Sequence, residues 1–128
     1  MGATRNVALN ELPIRGISIN DVTANSGSAT VNVVASDSGV IFINKYVTAD
    51  VTYSLPAVAT AAGKMFWFFD AQNTKNIVVN APANTMFMGN DLAASTATTT
   101  AEVGCAAFVI CDGTYYYFFE IYGAWANA

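Results

Sequence analysis

The groups that could do chemistry in this chain are few: two cysteines, Cys105 and Cys111, nine Asp and Glu residues, and no histidine. Without an imidazole, the nucleophile pairs built on Ser-His or Cys-His and the zinc sites that depend on histidine are unavailable. Asp37, Asp70, Asp91 and Asp112 stand at strand ends and turns, where Asp binds its own backbone two residues on. The Asn90-Asp91 pair after Gly89 offers oxygen ligands but lacks the spaced carboxylates of a calcium loop. No phosphate-binding loop, dinucleotide fingerprint or Cys-x-x-Cys occurs. The expectation is a chain that is not an enzyme, with no catalytic residue, no metal site and no cofactor.

The elements that position these residues read as strands. From residue 29 onward, period-2 patterns recur between turn signals, giving candidate strands at 29–34, 39–43, 51–55, 65–69, 77–80, 85–88, 103–111 and 115–122. Asp112-Gly113 is the strongest turn signal, a hairpin between two β-rich runs with positive φ angles. Residues 57–62, between Pro56 and Gly63, leave room for one helical turn. The Ala/Thr/Ser tract at 93–101 reads as a long loop at one end of the domain. The expected fold is all-β: a single antiparallel β-sandwich or barrel-like domain over 29–128, preceded by an extended N-terminal arm over 1–28 with Pro13, Gly16 and Gly27 as breaks. Cys105 and Cys111 fall in one strand, where six residues put them roughly 20 Å apart. A disulfide needs less than about 7 Å, so both thiols are expected free and buried.

Composition narrows the class of partner. Hydrophobic residues make up 54% of the chain and charged ones 11%, with net charge −4 and a mean hydropathy of +0.39. The five basic residues, Arg5, Arg15, Lys45, Lys64 and Lys75, form no phosphate-tracking stripe, so no nucleic-acid partner is expected. No apolar stretch approaches the ~18 residues needed to span a bilayer, so no membrane is expected either. The first residues lack a signal-peptide core, and Asn6 breaks a myristoylation motif, which implies synthesis in the cytoplasm without an export or lipid address. A folded monomer of this mass exposes about 6,500 Å². Fourteen charged side chains cover a minority of that, and the remainder must be small polar residues or surface that meets another chain.

Two runs carry more apolar side chains than a one-faced strand uses. In Met65-Phe66-Trp67-Phe68-Phe69, and again over 115–119, both parities are large and apolar. A strand alternates faces, so half of each run lies away from the core of a one-sided sheet. Either the domain covers both faces itself, or Met65, Trp67, Phe69, Tyr115, Tyr117 and Phe119 meet a neighbouring subunit. The shortage of charge favours the subunit. Tyr115, Tyr116, Trp125 and Trp67 could also stack on sugars, although packing is the commoner use of such residues.

The order of landmarks in the last ninety residues is distinctive. Tyr53-Ser54-Leu55-Pro56 is followed by Ala61-Ala62-Gly63-Lys64-Met65-Phe66, Ile77-Val78-Val79, Asp112-Gly113-Thr114-Tyr115-Tyr116 and Gly123-Ala124-Trp125. This pattern, over residues 40–125, resembles a β-domain that recurs in virion proteins of tailed bacteriophages. The resemblance implies a homotrimer that serves as a capsid decoration (cement) protein on the outer surface of the virion, with the major capsid protein as partner. The alternative it implies is a head-fibre or tail-fibre module that binds a glycan receptor. Under the first reading the arm, outside the resemblance, contacts the capsid through Arg5, Leu9, Leu12, Ile14, Arg15, Ile17 and Ile19, because solvated tails are usually poorer in apolar residues.

Overall fold

The computed structural model describes residues 14–21, 27–100 and 102–128. Among them are twelve strands: β1 (Gly16–Asn20), β2 (Thr30–Asn32), β3 (Val40–Asn44), β4 (Val51–Ser54), β5 (Met65–Asp70), β6 (Ile77–Asn80), β7 (Met86–Met88), β8 (Asp91–Ala94), β9 (Thr96–Thr99), β10 (Ala106–Cys111), β11 (Tyr116–Tyr122) and β12 (Trp125–Asn127). They form a seven-stranded sheet in the order β1-β3-β5-β10-β11-β7-β8 and a five-stranded sheet in the order β12-β9-β6-β4-β2.

The chain is all-β, but its path corrects the expected antiparallel sandwich or barrel. From β1 to β6 successive strands alternate between the two sheets, so β1, β3 and β5 pair in parallel in one sheet and β2, β4 and β6 in parallel in the other. The result is a solenoid-like stack of coils, each contributing one strand to each sheet. Period-2 alternation reports which residues face inward and is silent on whether a turn folds back or crosses over. Only the C-terminal half is mostly antiparallel, with β10 between β5 and β11 and β9 between β6 and β12.

One apolar core lies between the sheets. Phe42 of β3 and Phe68 of β5 stack at 5.7 Å, and Tyr53 of β4 meets both from the opposite sheet at 5.5 and 5.2 Å. Phe66, Ile77, Val79, Met86 and Val109 are fully buried around them. At the C-terminal end Phe118 and Trp125 meet edge to face at 5.1 Å, and the Trp125 indole donates to the Tyr122 carbonyl at 3.1 Å. The chain passes from β11 to β12 through Gly123, at φ +85°, where a Cβ would stand 2.3 Å from the Cys105 sulfur. Both the left-handed backbone and that contact require glycine.

Three further expectations change. Residues 93–101 are not one long loop: β8 and β9 occupy most of the tract, with Ala94, Ala97 and Thr99 pointing inward. Threonine fits a pleated surface, alanine suits a thin part of the core, and Thr99 Oγ1 accepts from the Ile77 N–H at 2.8 Å. At the β10–β11 hairpin only Gly113 takes positive φ; Asp112 acts through its carboxylate, accepting from the N–H groups of Thr114 and Tyr115 at 2.8 and 2.7 Å. Finally, part of the expected arm belongs to the domain. Gly16–Asn20 is the strand next to β3, and the Asn20 side chain accepts from the Ser28 N–H and donates to the Ser28 carbonyl, both at 2.8 Å. A boundary at residue 28 cuts through the first coil. Elsewhere, short 3-10 turns span Ala35–Asp37 and Val58–Thr60.

Candidate functional site: the outer face of the seven-stranded sheet

Alternation in β5 puts Phe66, Phe68 and Asp70 inside and Met65, Trp67 and Phe69 outside; in β11 it puts Tyr116 and Phe118 inside and Tyr117 and Phe119 outside. The outward parity is the one expected from the sequence to meet a subunit. The sheet register assembles these side chains into rows. Ile17, Ile41, Trp67, Phe108 and Phe119 are successive partners across five strands. Ile19, Ile43, Phe69, Ala106 and Tyr122 form the row above. Met65, Ile110, Tyr117 and Phe87 form the row below. No residue in these rows carries a charge.

The rings hold one another in place. Phe108 stacks on Phe119 at 4.6 Å and 9° and lies 4.8 Å from Trp67. Tyr115 stacks on Phe87 at 4.6 Å, and Phe87 meets Tyr117 edge to face at 5.3 Å. Such pairs prefer these geometries and add about 0.5 to 1.5 kcal/mol each beyond area burial. Trp67 is packed tightly enough that its indole N–H is occluded without a hydrogen-bond partner. Solvent still reaches much of the surface: Ile17 is 61% exposed, Phe119 45% and Phe69 39%. With strands ~4.8 Å apart and ~3.3 Å per residue, the face covers on the order of 450 Å² in projection. That falls in the range of about 300 to 600 Å² in which the largest apolar patch of a monomer is often functional.

The electrostatics at its lower edge are local. The Tyr117 hydroxyl donates to Asp112 Oδ2 at 2.6 Å. That bond raises the tyrosine's pKa and, with the N–H groups of Tyr115 and Thr114, holds the Asp112 carboxyl below the usual carboxylate range.

The other residues with chemical potential are spent on structure. Burial pushes both thiols up, with the charges of Glu102 and Asp70 adding at Cys105, which is the reverse of an activated nucleophile. Both cysteines are free and buried. Asp91 accepts from the Ala93 N–H and from the Asn127 amide, and Asp37 from the Val34 N–H. Among the described residues no group of three or more Cys, Asp or Glu side chains is placed to hold a metal ion, and no helix is long and apolar enough to cross a membrane. Of the rings considered for stacking on sugars, Tyr116 and Trp125 are in the core.

The N-terminal candidates divide. Arg5, Leu9 and Leu12 lie outside the described residues. Ile14 and Arg15 are exposed just before β1, while Ile17 and Ile19 belong to the rows of the apolar face. Sequence reasoning missed Phe108, Ile110, Ile41, Ile43 and Phe87 as members of this face. Their signal was present: Ala106, Phe108 and Ile110 alternate with the buried Ala107, Val109 and Cys111, but that run was read as a thiol-bearing core strand. No family model matches the chain, and no curated protein sequence matches it.

Proposed function

We propose that the protein is a structural, non-catalytic subunit that associates through the outer face of its seven-stranded sheet into a homotrimer. In this arrangement three such faces turn toward a common axis and the five-stranded sheets face solvent. The observation that carries the reading is the uncharged row Ile17-Ile41-Trp67-Phe108-Phe119 with its flanking rows. Covering this face removes its exposed apolar surface from water, which favours association. Association costs on the order of 4 to 15 kcal/mol, which the packing of these rings must offset.

The trimer's place, in this proposal, is the outer surface of a tailed-phage head, where it decorates the capsid and clamps neighbouring major capsid subunits. This part rests on the landmark resemblance over residues 40–125. Ile17 and Ile19 then serve self-assembly, and contact with the shell falls to Ile14, Arg15 and the residues before them, including Arg5, Leu9 and Leu12. A fibre module that binds glycans through exposed rings such as Phe119 is the rival. Mass-spectrometric copy counting on purified particles separates them. A decoration protein is present at high copy number in multiples of three, whereas a handful of copies per particle contradicts this placement.

A further inference from the structure

At the last position of the first three strands of the seven-stranded sheet, Asn20, Asn44 and Asp70 are register partners pointing inward. All three are buried, Asn44 and Asp70 completely. The Asn20 amide donates to Asn44 Oδ1 at 3.3 Å, and the Asn44 amide donates to Asp70 Oδ1 at 3.4 Å. Gln72 Nε2 donates to the same Oδ1 at 2.7 Å and to the Lys75 carbonyl at 2.7 Å. Every donor in this ladder is aimed at Oδ1. Among the described residues Asp70 Oδ2 is buried with no partner, and the other buried orphan oxygen is the Tyr53 hydroxyl, on the opposite sheet.

A dry carboxylate with half its charge unpaired is strongly unfavourable unless a cation or donors neutralise it. Among the described residues the groups that face Asp70 supply no cation, and their donors, the Asn44 and Gln72 amides and the Gln72 backbone N–H, leave Oδ2 unpartnered. β1 and β3 contribute neutral amides. β4 contributes Tyr53, whose pKa is raised by burial and further by the Asp70 charge. The segment before β10 contributes Cys105, raised by burial, then by Glu102 and Asp70. After β5, Gln72 is neutral and Lys75 takes part through its carbonyl. Desolvation outweighs the amide bonds and pushes the Asp70 carboxyl up.

We propose that Asp70 keeps its proton on Oδ2 at neutral pH, making the stacking of the coils at this corner sensitive to pH. The corner also anchors the approach to β10, since the Asp70 N–H donates to the Cys105 carbonyl at 2.9 Å and the Gly104 N–H to the Asp70 carbonyl at 2.7 Å. Ionisation strains both the coil stack and that connection.

The sign follows from proton binding. Above about pH 4, where an unfolded aspartate ionises, and up to the pH at which Asp70 ionises in place, the folded state holds one more proton than the unfolded state. Stability from this group is full below that interval and is lost as pH rises through it. Asp70→Asn places a neutral donor at Oδ2 and removes the titration. The full-length protein and Asp70→Asn are to be unfolded in urea from pH 4.5 to 8.5. The ratio of the wild-type to the variant unfolding constant should rise about tenfold for each pH unit crossed before Asp70 ionises; a ratio constant across that range overturns the proposal. Infrared spectra of the wild type with isotope-labelled aspartate give a reading that does not depend on the variant folding. A label-shifted carboxylic-acid carbonyl band at neutral pH supports the buried proton, and its absence overturns it.

Discussion

The outer faces of the two sheets are built by the same coils and differ in almost every side chain. On the five-stranded sheet the rows are Thr30-Thr52-Val78-Thr98-Ala126 and Asn32-Ser54-Asn80-Thr96. On the seven-stranded sheet the equivalent positions hold isoleucine, methionine and stacked aromatics. Neither set contains a charge. The low charge content of the chain therefore has two separate causes. One sheet meets water with hydroxyls and amides, which need no ionised groups. The other presents rings that gain by leaving water. Absence of charge alone would have implicated both surfaces; the chemistry of the outward parity separates them.

The largest expected effect breaks the apolar face and spares the polar one. Phe69→Glu combined with Phe119→Glu places six carboxylates in a trimer's dry contact, at a cost of several kcal/mol for each unpaired charge. Native mass spectrometry at micromolar concentration should show only monomers. Thr52→Glu combined with Thr98→Glu, on the other sheet, should leave the wild-type mass unchanged. Loss of assembly in both double variants would mean that the two faces are not functionally distinct.

A smaller effect compares the two sides of one strand. Phe68→Ala opens a cavity between the sheets and should lower stability by about 3 to 5 kcal/mol. Phe69→Ala, one residue along and facing out, should cost little in the isolated chain and appear instead as a weaker rise of the urea midpoint with protein concentration. Equal losses at every concentration would place Phe69 in the core.

The smallest effect lies at the lower edge of the face. Because Asp112 is held below the ordinary carboxylate range, its contribution to stability is present above that range and lost as pH falls through the lowered value. Tyr117→Phe removes the first of its stabilising donors, so the Asp112 carboxyl, followed by NMR, should titrate at higher pH, nearer an ordinary aspartate. An unchanged titration would show that the backbone N–H groups alone hold it.

Much of this was readable in the residues, for identifiable reasons. Strand positions and inward parity follow from period 2, and so does the outward set Met65, Trp67, Phe69, Tyr117 and Phe119. The parity of Phe66 and Phe68 also points Asp70 inward, but its place beside the Gln72 turn suggested an ordinary cap. The turn contact with the Gln72 backbone is present, and complete burial was the part the turn rule does not carry. The coil path was not legible, because a turn that crosses between sheets uses the same Gly, Asp and Asn residues as one that folds back. The β8–β9 tract was obscured by low complexity: small inward residues leave a weak hydrophobic alternation. Ile17 and Ile19 were recognised as needing cover, but only the pairing of β1 with β3 places them beside Trp67 and Phe108.

The central claim, that the outer face of the seven-stranded sheet joins copies of the chain, is tested most directly by light scattering on the full-length protein over a range of micromolar concentrations. The account predicts a particle with the mass of three 13.5 kDa chains, dissociating on dilution without a stable dimer. A monodisperse species of 13.5 kDa at every concentration would contradict it.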